Sequence, residues 1–160
     1  DAGRGWRRVV PSPKPQRIVE EYTVKAMIDA GVTVITGGGG GVPVVETDND
    51  GLEGVEAVID KDFTAAVVAD AIDAEALVIL TAVDGAMVDY GKPTARAIGH
   101  TDRQEIQRYI DEGQFAPGSM LPKVQAALKF VEKPGRRAII ASLERAAEAL
   151  DGQIGTIIES

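Results

Sequence analysis

The 160-residue chain has no cysteine, a single histidine and few aromatic residues, which make up 4% of the sequence. The absence of cysteine excludes disulfides, thiolate nucleophiles and zinc–thiolate sites, and His100 alone cannot build a histidine-rich metal site. No apolar run reaches the roughly 18 residues that a membrane-spanning helix needs. Acidic residues outnumber basic ones by 25 to 17, giving a net charge of −8. We therefore expect no membrane or nucleic-acid partner, and expect any anionic ligand to be held by a few local cations and backbone N–H groups.

The length and the apolar content indicate one folded domain spanning residues 1–160. Hydrophobic residues make up 44% of the chain, which is typical of a globular protein, and a chain of this length can bury one good core. The first residues, DAGRGWRRVVPSP, carry arginine where a signal peptide has its apolar stretch. We therefore predict a cytoplasmic protein.

Amphipathic stretches alternate with short apolar ones along the chain. Their periodicity predicts helices over residues 16–31, 62–73, 101–113, 119–133 and 143–152. Thr101 is expected to cap the third helix and Gly113 to end it. A loop is expected at 47–54, an extended or mixed stretch at 55–60, and strands over 32–36, 42–45, 76–83, 86–89, 136–142 and 155–160. This order is typical of an α/β fold, a three-layer αβα sandwich around a mainly parallel sheet.

Small, acidic and lysine residues follow three of these apolar stretches. Ligands of open α/β sheets bind beyond the carboxyl ends of the strands, so these positions are the candidates for a site. They are the glycine run Gly37–Gly41, the tripeptide Asp60-Lys61-Asp62 and the tripeptide Val83-Asp84-Gly85.

The glycine run lies in the stretch VITGGGGGVPVV, residues 34–45. Bare backbone of this kind lets main-chain amides approach an anion that side chains would block. The stretch is neither a Walker A loop nor a dinucleotide fingerprint, because a strand is predicted after it where those motifs need a helix. A flexible connector is the equally weighted alternative.

Two lysines stand near predicted helix N-termini. Lys61 could give phosphate oxygens a movable positive charge, with Asp62 orienting lysines or a metal; the alternative is that Asp60 or Asp62 caps a helix and Lys61 is solvated. Lys123 follows Pro-Gly-Ser in the stretch APGSMLPKVQAA. A lysine there opposes the helix dipole, a cost that a bound phosphate would offset, although a solvated lysine is also possible.

The stretch LTAVDGAMVDYGKP, residues 80–93, joins a strand to a polar loop. Asp84 and Tyr90 could line an adenine and ribose pocket, with the tyrosine as its apolar wall. The alternative is a plain connection between a strand and a hairpin.

Taken together and in order, five stretches resemble the carboxyl-terminal half of carbamate kinases, which belong to the amino acid kinase superfamily. The resemblance covers nearly the whole chain, and VIDKD with PGSMLPK separates carbamate kinases from the acetylglutamate, aspartate and uridylate kinases. The five stretches are GWRRVVPSPKP, GGGGGVPVV, GVEAVIDKDFTAAVVADAI, ALVILTAVDGAMVDYGKP and FAPGSMLPKVQAA.

The resemblance implies reversible phosphoryl transfer between ATP and carbamate, giving ADP and carbamoyl phosphate, in arginine catabolism. It implies ATP or ADP with Mg²⁺ brought by the nucleotide rather than a protein metal site, and a homodimeric complete enzyme. It assigns catalytic roles to Lys61, Asp62 and Lys123, with Asp62 organising the lysines rather than acting as a base. Substrate binding falls to Gly38, Gly39 and Gly40, and the nucleotide side to Thr81, Val83, Asp84, Tyr90, Met120 and Lys123.

One departure from the family is large. Its members are about twice this length, and their amino-terminal half carries a second glycine loop of the G-G-N-A type and a further lysine, neither of which occurs here. The chain is then either a fragment of a kinase or a truncated, non-catalytic nucleotide-binding or interaction module of the same fold. In the second case we expect nucleotide binding at best and no turnover. In either case we expect the chain to associate, with a missing half or with itself, through an exposed strand edge and apolar surface.

Overall fold

The computed structural model describes residues 5–6, 8–49 and 51–160. Within them the helices are α1 (Glu21–Asp29), α2 (Lys61–Ala71), α3 (Arg103–Asp111), α4 (Met120–Phe130) and α5 (Ala146–Leu150), the last preceded by a 3-10 turn at Leu143–Arg145. The strands are β1 (Val44–Glu46), β2 (Leu52–Gly54), β3 (Ala76–Thr81), β4 (Met87–Val88), β5 (Arg96–Ala97), β6 (His100–Asp102), β7 (Arg137–Ser142) and β8 (Thr156–Glu159). None of the helices in this part of the chain is both long enough and apolar enough to cross a membrane.

Four strands form the main sheet, in the order β3-β7-β8-β6. The pairs β3–β7 and β6–β8 are parallel, whereas β7–β8 is antiparallel. The sheet is therefore mixed, with two of its three pairs parallel, and the predicted α/β class with a mainly parallel sheet is confirmed. Because Thr81 pairs with Ser142 in the parallel register, the carboxyl ends of β3 and β7 lie side by side.

Helices cover both faces of this sheet. Successive residues of a strand point to opposite faces, and in β7 Ala138 and Ile140 pack into the larger apolar cluster with α2, α3 and α4. Ile139 and Ala141 of the same strand pack into a smaller cluster that includes Ala149 of α5. This arrangement is the three-layer sandwich that the sequence predicts.

The ends of α3 show where local sequence decides a helix boundary. Asp102, not Thr101 as predicted, caps α3: its backbone is extended and its carboxylate accepts a hydrogen bond from the backbone N–H of Glu105 at 2.9 Å. Thr101 lies one residue too early, within β6, and its hydroxyl donates instead to the Glu105 carboxylate. Gly113 follows the last turn with φ +70°, as its predicted role in ending the helix requires.

The predicted strand over residues 32–36 does not form. The segment has no ladder partner among the described residues, and Val32 and Ile35 are exposed at 45% and 98%. A strand needs a neighbour to satisfy its N–H and C=O groups, and none lies beside this one. Helix α1 also begins at Glu21, later than the predicted residue 16.

The predicted loop at 47–54 contains a strand instead. Leu52–Gly54 pairs antiparallel with Val44–Glu46, and the backbone N–H of Thr47 donates to the carbonyl of Gly51 to close the hairpin. The last predicted helix is also shorter than expected, since its first turn is the 3-10 turn before α5.

Candidate functional site

The first turn of α2 presents two of the predicted site residues. Asp60, in an extended conformation, caps the helix by accepting a hydrogen bond from the backbone N–H of Asp62 at 2.8 Å. The capping alternative therefore applies to Asp60 alone, and the carboxylate of Asp62 is available for other partners. Asp62 is buried, with 6% of its surface exposed, whereas the side chain of Lys61 is 58% exposed.

Helix α4 brings Lys123 to the same carboxylate. The Lys123 ammonium donates to Oδ2 of Asp62 at 2.7 Å, and the Lys61 ammonium approaches that oxygen at 3.4 Å. The side chain of Lys123 is only 13% exposed, so the packing of α4 against α2 holds it in place. We call Lys61, Asp62 and Lys123 the lysine–aspartate cluster, in which one carboxylate orients two ammonium groups and leaves an excess positive charge.

The glycine run forms a tight turn that is docked on the start of α2. The backbone N–H of Gly40 donates to the carbonyl of Gly37 at 2.9 Å, and the Thr64 hydroxyl donates to the carbonyl of Gly40 at 2.8 Å. A Cβ atom at Gly40 would lie 2.0 Å from the carbonyl oxygen of Ile59, and the residue has φ +137°. Gly40 is therefore a glycine because backbone packs directly against it.

The other two predicted substrate-binding glycines, Gly38 and Gly39, are exposed at the tip of this turn. A Cβ atom at either position would meet nothing within 4 Å. The turn thus presents bare backbone to its surroundings, next to the helix that carries Lys61 and Asp62.

Two open cavities lie along the surface. One of about 730 Å³ runs beside the glycine turn, between Lys14, Gly37, Thr64 and the β1–β2 hairpin. A larger one of about 970 Å³ is lined mainly by α3, including Arg103 and Arg108, and contains no predicted site residue. The larger volume is therefore separate from the candidate chemistry.

Three of the predicted nucleotide-side residues end or follow β3. Thr81 is the last residue of the strand, and Val83 and Asp84 are exposed in the loop after it. The neighbouring strand β7 ends at the same edge, and the carboxylates of Glu148 and, more weakly, of Asp84 raise the pKa of the Arg145 guanidinium. Asp84, which follows β3, and Arg145, which follows β7, therefore interact electrostatically at the carboxyl edge of the sheet.

The end of β7 is a further part of this edge that carries no motif in the sequence. Ser142 caps the 3-10 turn there, and Leu143 is 67% exposed although it is apolar. The rule that directs attention to strand ends applies equally to the predicted strand 136–142, so this signal was present in the sequence.

Tyr90 and Met120 lie in different settings. Tyr90 is 73% exposed. It follows Asp89, which has a positive φ of 53° and is hydrogen-bonded through both its backbone and its side chain. The backbone N–H of Asp89 donates to Gln114, and hydrogen bonds from Lys92 and Thr94 lower the pKa of its carboxyl. Met120 begins the helix that carries Lys123 and packs against the larger apolar cluster.

Among the residues that the structure describes, no group of three or more histidine, aspartate or glutamate side chains could hold a metal ion. The two cations of the lysine–aspartate cluster are the ammonium groups of lysines. Lys61 and Lys123 share the one carboxylate of Asp62.

Comparison with known proteins gives a consistent result. The sequence model of the amino acid kinase family matches residues 2–142. A carbamate kinase of Clostridium perfringens is 58% identical over 159 residues, covering 99% of this chain and 50% of that protein. A carbamate kinase of Thermococcus kodakarensis is 53% identical over 156 residues, covering 98% of this chain and 49% of that protein.

Among solved structures, a carbamate kinase from Giardia lamblia bound to AMP-PNP superposes with a TM-score of 0.93 at 45% identity, covering 99% of this chain and 50% of that one. The chain thus spans about half the length of the relatives it matches. The resemblance that the five stretches suggested is confirmed, and the half coverage fits the prediction that the chain corresponds to one half of such a protein.

Proposed function

The chain belongs to the amino acid kinase family, and from this premise we propose that it is the carboxyl-terminal, nucleotide-binding part of a carbamate kinase. The proposed reaction is reversible phosphoryl transfer between ATP and carbamate, giving ADP and carbamoyl phosphate, in the catabolism of arginine. The complete enzyme is proposed to be a cytoplasmic homodimer acting on these small molecules.

The lysine–aspartate cluster is the observation that carries this proposal. Two ammonium groups share one carboxylate oxygen, so the cluster has unbalanced positive charge that a polyanion would neutralise. Phosphoryl transfer depends mainly on positioning and on neutralising the charge of the transferring group. Carbamate is already an oxyanion and needs no general base, which fits an aspartate that is engaged with lysines.

The exposure of the two lysines suggests how they divide the work. Lys61 is largely exposed and is free to follow the transferring phosphoryl group, whereas Lys123 is held against Asp62 and would contact the distal phosphate. Exposed backbone at Gly38 and Gly39 would let the carbamoyl or phosphoryl group approach closely. In this proposal Gly40 acts by holding the turn on α2.

The nucleotide is proposed to lie along the carboxyl edge of the sheet. Thr81, Val83 and Asp84 at the end of β3 would line it, with Tyr90 as an apolar wall and Met120 and Lys123 from the start of α4. The Giardia lamblia relative bound to AMP-PNP supports the use of ATP by this family. Mg²⁺, bound to the phosphates of the nucleotide, would neutralise part of their charge.

A second candidate function is a non-catalytic nucleotide-binding or interaction module. The half coverage of the relatives favours it for the chain by itself, as does the single glycine turn, which would line only part of a site. In this alternative the chain binds ADP but forms no ATP from carbamoyl phosphate.

A chimera tests the proposed roles. The amino-terminal half of the Clostridium perfringens relative is joined to this chain, and ATP formation from carbamoyl phosphate and ADP is measured. Lys61→Ala and Lys123→Ala should each lower the rate by at least about 100-fold while the fold survives, because each removes a cation from the transferring phosphates.

Lys129→Ala is the matched control, since Lys129 is 69% exposed on the same helix as Lys123. This variant should keep a near-normal rate. Near-normal rates for both Lys61→Ala and Lys123→Ala would refute the assigned roles, and appreciable ATP formation by the unjoined chain would refute the prediction that it lacks turnover.

A further inference from the structure

Thr156, the first residue of β8, is a fully buried polar residue that joins three segments of the chain. Its hydroxyl accepts a hydrogen bond from the backbone N–H of Ala86 at 2.9 Å and donates one to the carbonyl of Ile98 at 2.6 Å. In turn, the backbone N–H of Ile98 donates to the carbonyl of Ala86 at 2.9 Å. Through Ala86, the loop after β3 is therefore hydrogen-bonded both to β8 of the main sheet and to Ile98, which lies between β5 and β6.

Two glycines allow this close approach. A Cβ atom at Gly85 would lie 2.9 Å from the Thr156 hydroxyl and 3.1 Å from its backbone nitrogen. A Cβ atom at Gly155 would lie 2.7 Å from the carbonyl oxygen of Ile140 in β7, and Gly155 has φ +95°. At Gly85 the loop therefore packs directly on β8, and at Gly155 the turn before β8 packs directly on β7. In both places the glycine leaves no side chain between the two segments.

The loop that this contact fixes is the one that carries Val83 and Asp84. Residues 82–86 form no strand ladder, so the loop depends on bonds such as the one to Thr156 for a single conformation. A buried N–H group that loses its acceptor costs free energy, and Ala86, which is fully buried, would have to move to find another.

We infer that Thr156 is a positioning residue for the nucleotide site, its hydroxyl holding the loop after β3 in the arrangement that receives the nucleotide. The inference rests on the proposed function, since it presumes that Val83 and Asp84 line the nucleotide. Thr156 itself is buried beneath the loop and does not touch the ligand.

Two substitutions separate the hydroxyl from the shape of the side chain. Thr156→Val keeps the shape and removes the hydroxyl, and Thr156→Ser keeps the hydroxyl. Binding of ADP with Mg²⁺ to the 160-residue chain, measured by calorimetry, should weaken about tenfold or more in Thr156→Val and stay within about twofold in Thr156→Ser. Hydrogen exchange of the Ala86 amide should accelerate in Thr156→Val, while that of Ala127, which is buried in the middle of α4, stays as in the unsubstituted chain.

Gly85→Ala tests the same contact from the loop side, and keeps the test valid if Thr156→Val does not fold. Its Cβ would push the loop away from Thr156, so ADP binding should weaken about fivefold or more. Gly99→Ala is the control, because its Cβ would meet nothing within 4 Å, and it should bind ADP normally.

Folded Thr156→Val or Gly85→Ala that binds ADP as tightly as the unsubstituted chain would overturn the inference and leave the proposed function standing. Failure of the unsubstituted, folded chain to bind ADP would overturn both. Weaker ADP binding by Thr156→Val, together with normal affinity in Thr156→Ser, supports the inference. A merely structural residue would lower the melting temperature without changing the affinity of the folded chain for ADP.

Discussion

The two lysines of the cluster should contribute very differently to stability, although both contact Asp62. Lys123→Met leaves a buried carboxylate whose remaining partner, Lys61, is 3.4 Å away and largely exposed. Removing one partner of a fully buried pair costs about 3–5 kcal/mol. Because the cluster reaches the surface and keeps Lys61, we expect Lys123→Met to lower the free energy of unfolding by about 2–3 kcal/mol.

Lys61→Met should change the free energy of unfolding by no more than about 0.5 kcal/mol. Its side chain is 58% exposed, and exposed ion pairs contribute little because water screens them and a flexible side chain must be ordered. The 2.7 Å bond from Lys123 to Asp62 remains in this variant.

A double-mutant cycle with Asp62→Asn isolates the two couplings. Urea unfolding of the chain, followed by circular dichroism, should give a coupling of about 1–2 kcal/mol between Asp62 and Lys123. The coupling with Lys61 should stay below about 0.5 kcal/mol. Equal couplings for the two lysines, or no loss of stability in Lys123→Met, would refute the view that a buried bond holds Lys123 in place.

Two further predictions concern the glycine turn and acid stability. Gly40→Ala should destabilise the chain by more than about 2 kcal/mol, since its Cβ would lie 2.0 Å from the Ile59 carbonyl oxygen. Gly39→Ala should change the free energy of unfolding in urea little, yet slow ATP formation by the chimera. Equal free energies of unfolding for the two variants would contradict this prediction. Hydrogen bonds from Lys133 and Arg136 lower the pKa of the Asp70 carboxyl. A pKa that is lower in the folded state contributes stability that is lost as the pH falls through it. Between about pH 6 and pH 3, the free energy of unfolding of the unsubstituted chain should therefore fall by more than that of Asp70→Asn. Equal losses in the two proteins would contradict this prediction.

The elements that the sequence predicts well are those whose pattern is local. The strands at 76–81 and 137–142 are short apolar runs bounded by polar residues, and the helices at 61–71 and 120–130 have apolar faces and clear starts. Each carries its own signal, so each is found within a few residues of its predicted position.

The elements that depend on a distant partner are predicted less well. Residues 32–36 have the composition of a strand, but no neighbour pairs with them within residues 5–6, 8–49 and 51–160. Residues 52–54, by contrast, have the composition of a loop and form a strand because 44–46 lies beside them. Propensity alone cannot decide such cases, because pairing supplies the missing hydrogen bonds.

The candidate site shows the same division. The sequence predicts Lys61 and Asp62 as site residues from their place at the start of a helix, and Lys123 from its place in the first turn of another. Their meeting depends on how α2 packs on α4, across 61 positions of sequence. The residues themselves suggest that Asp62 orients lysines, and the resemblance to carbamate kinases adds that Lys123 is one of them. Thr156 carries no motif, and its importance to the loop after β3 is visible only in the folded chain.

The central claim is that this chain is the nucleotide-binding half of a carbamate kinase. Calorimetric titration of the folded 160-residue chain with ADP, with and without Mg²⁺, tests it most directly, with Lys123→Ala as the variant that should weaken the interaction. We expect one ADP to bind per chain, without ATP formation when carbamoyl phosphate is added. A folded chain that binds no ADP under either condition would contradict it.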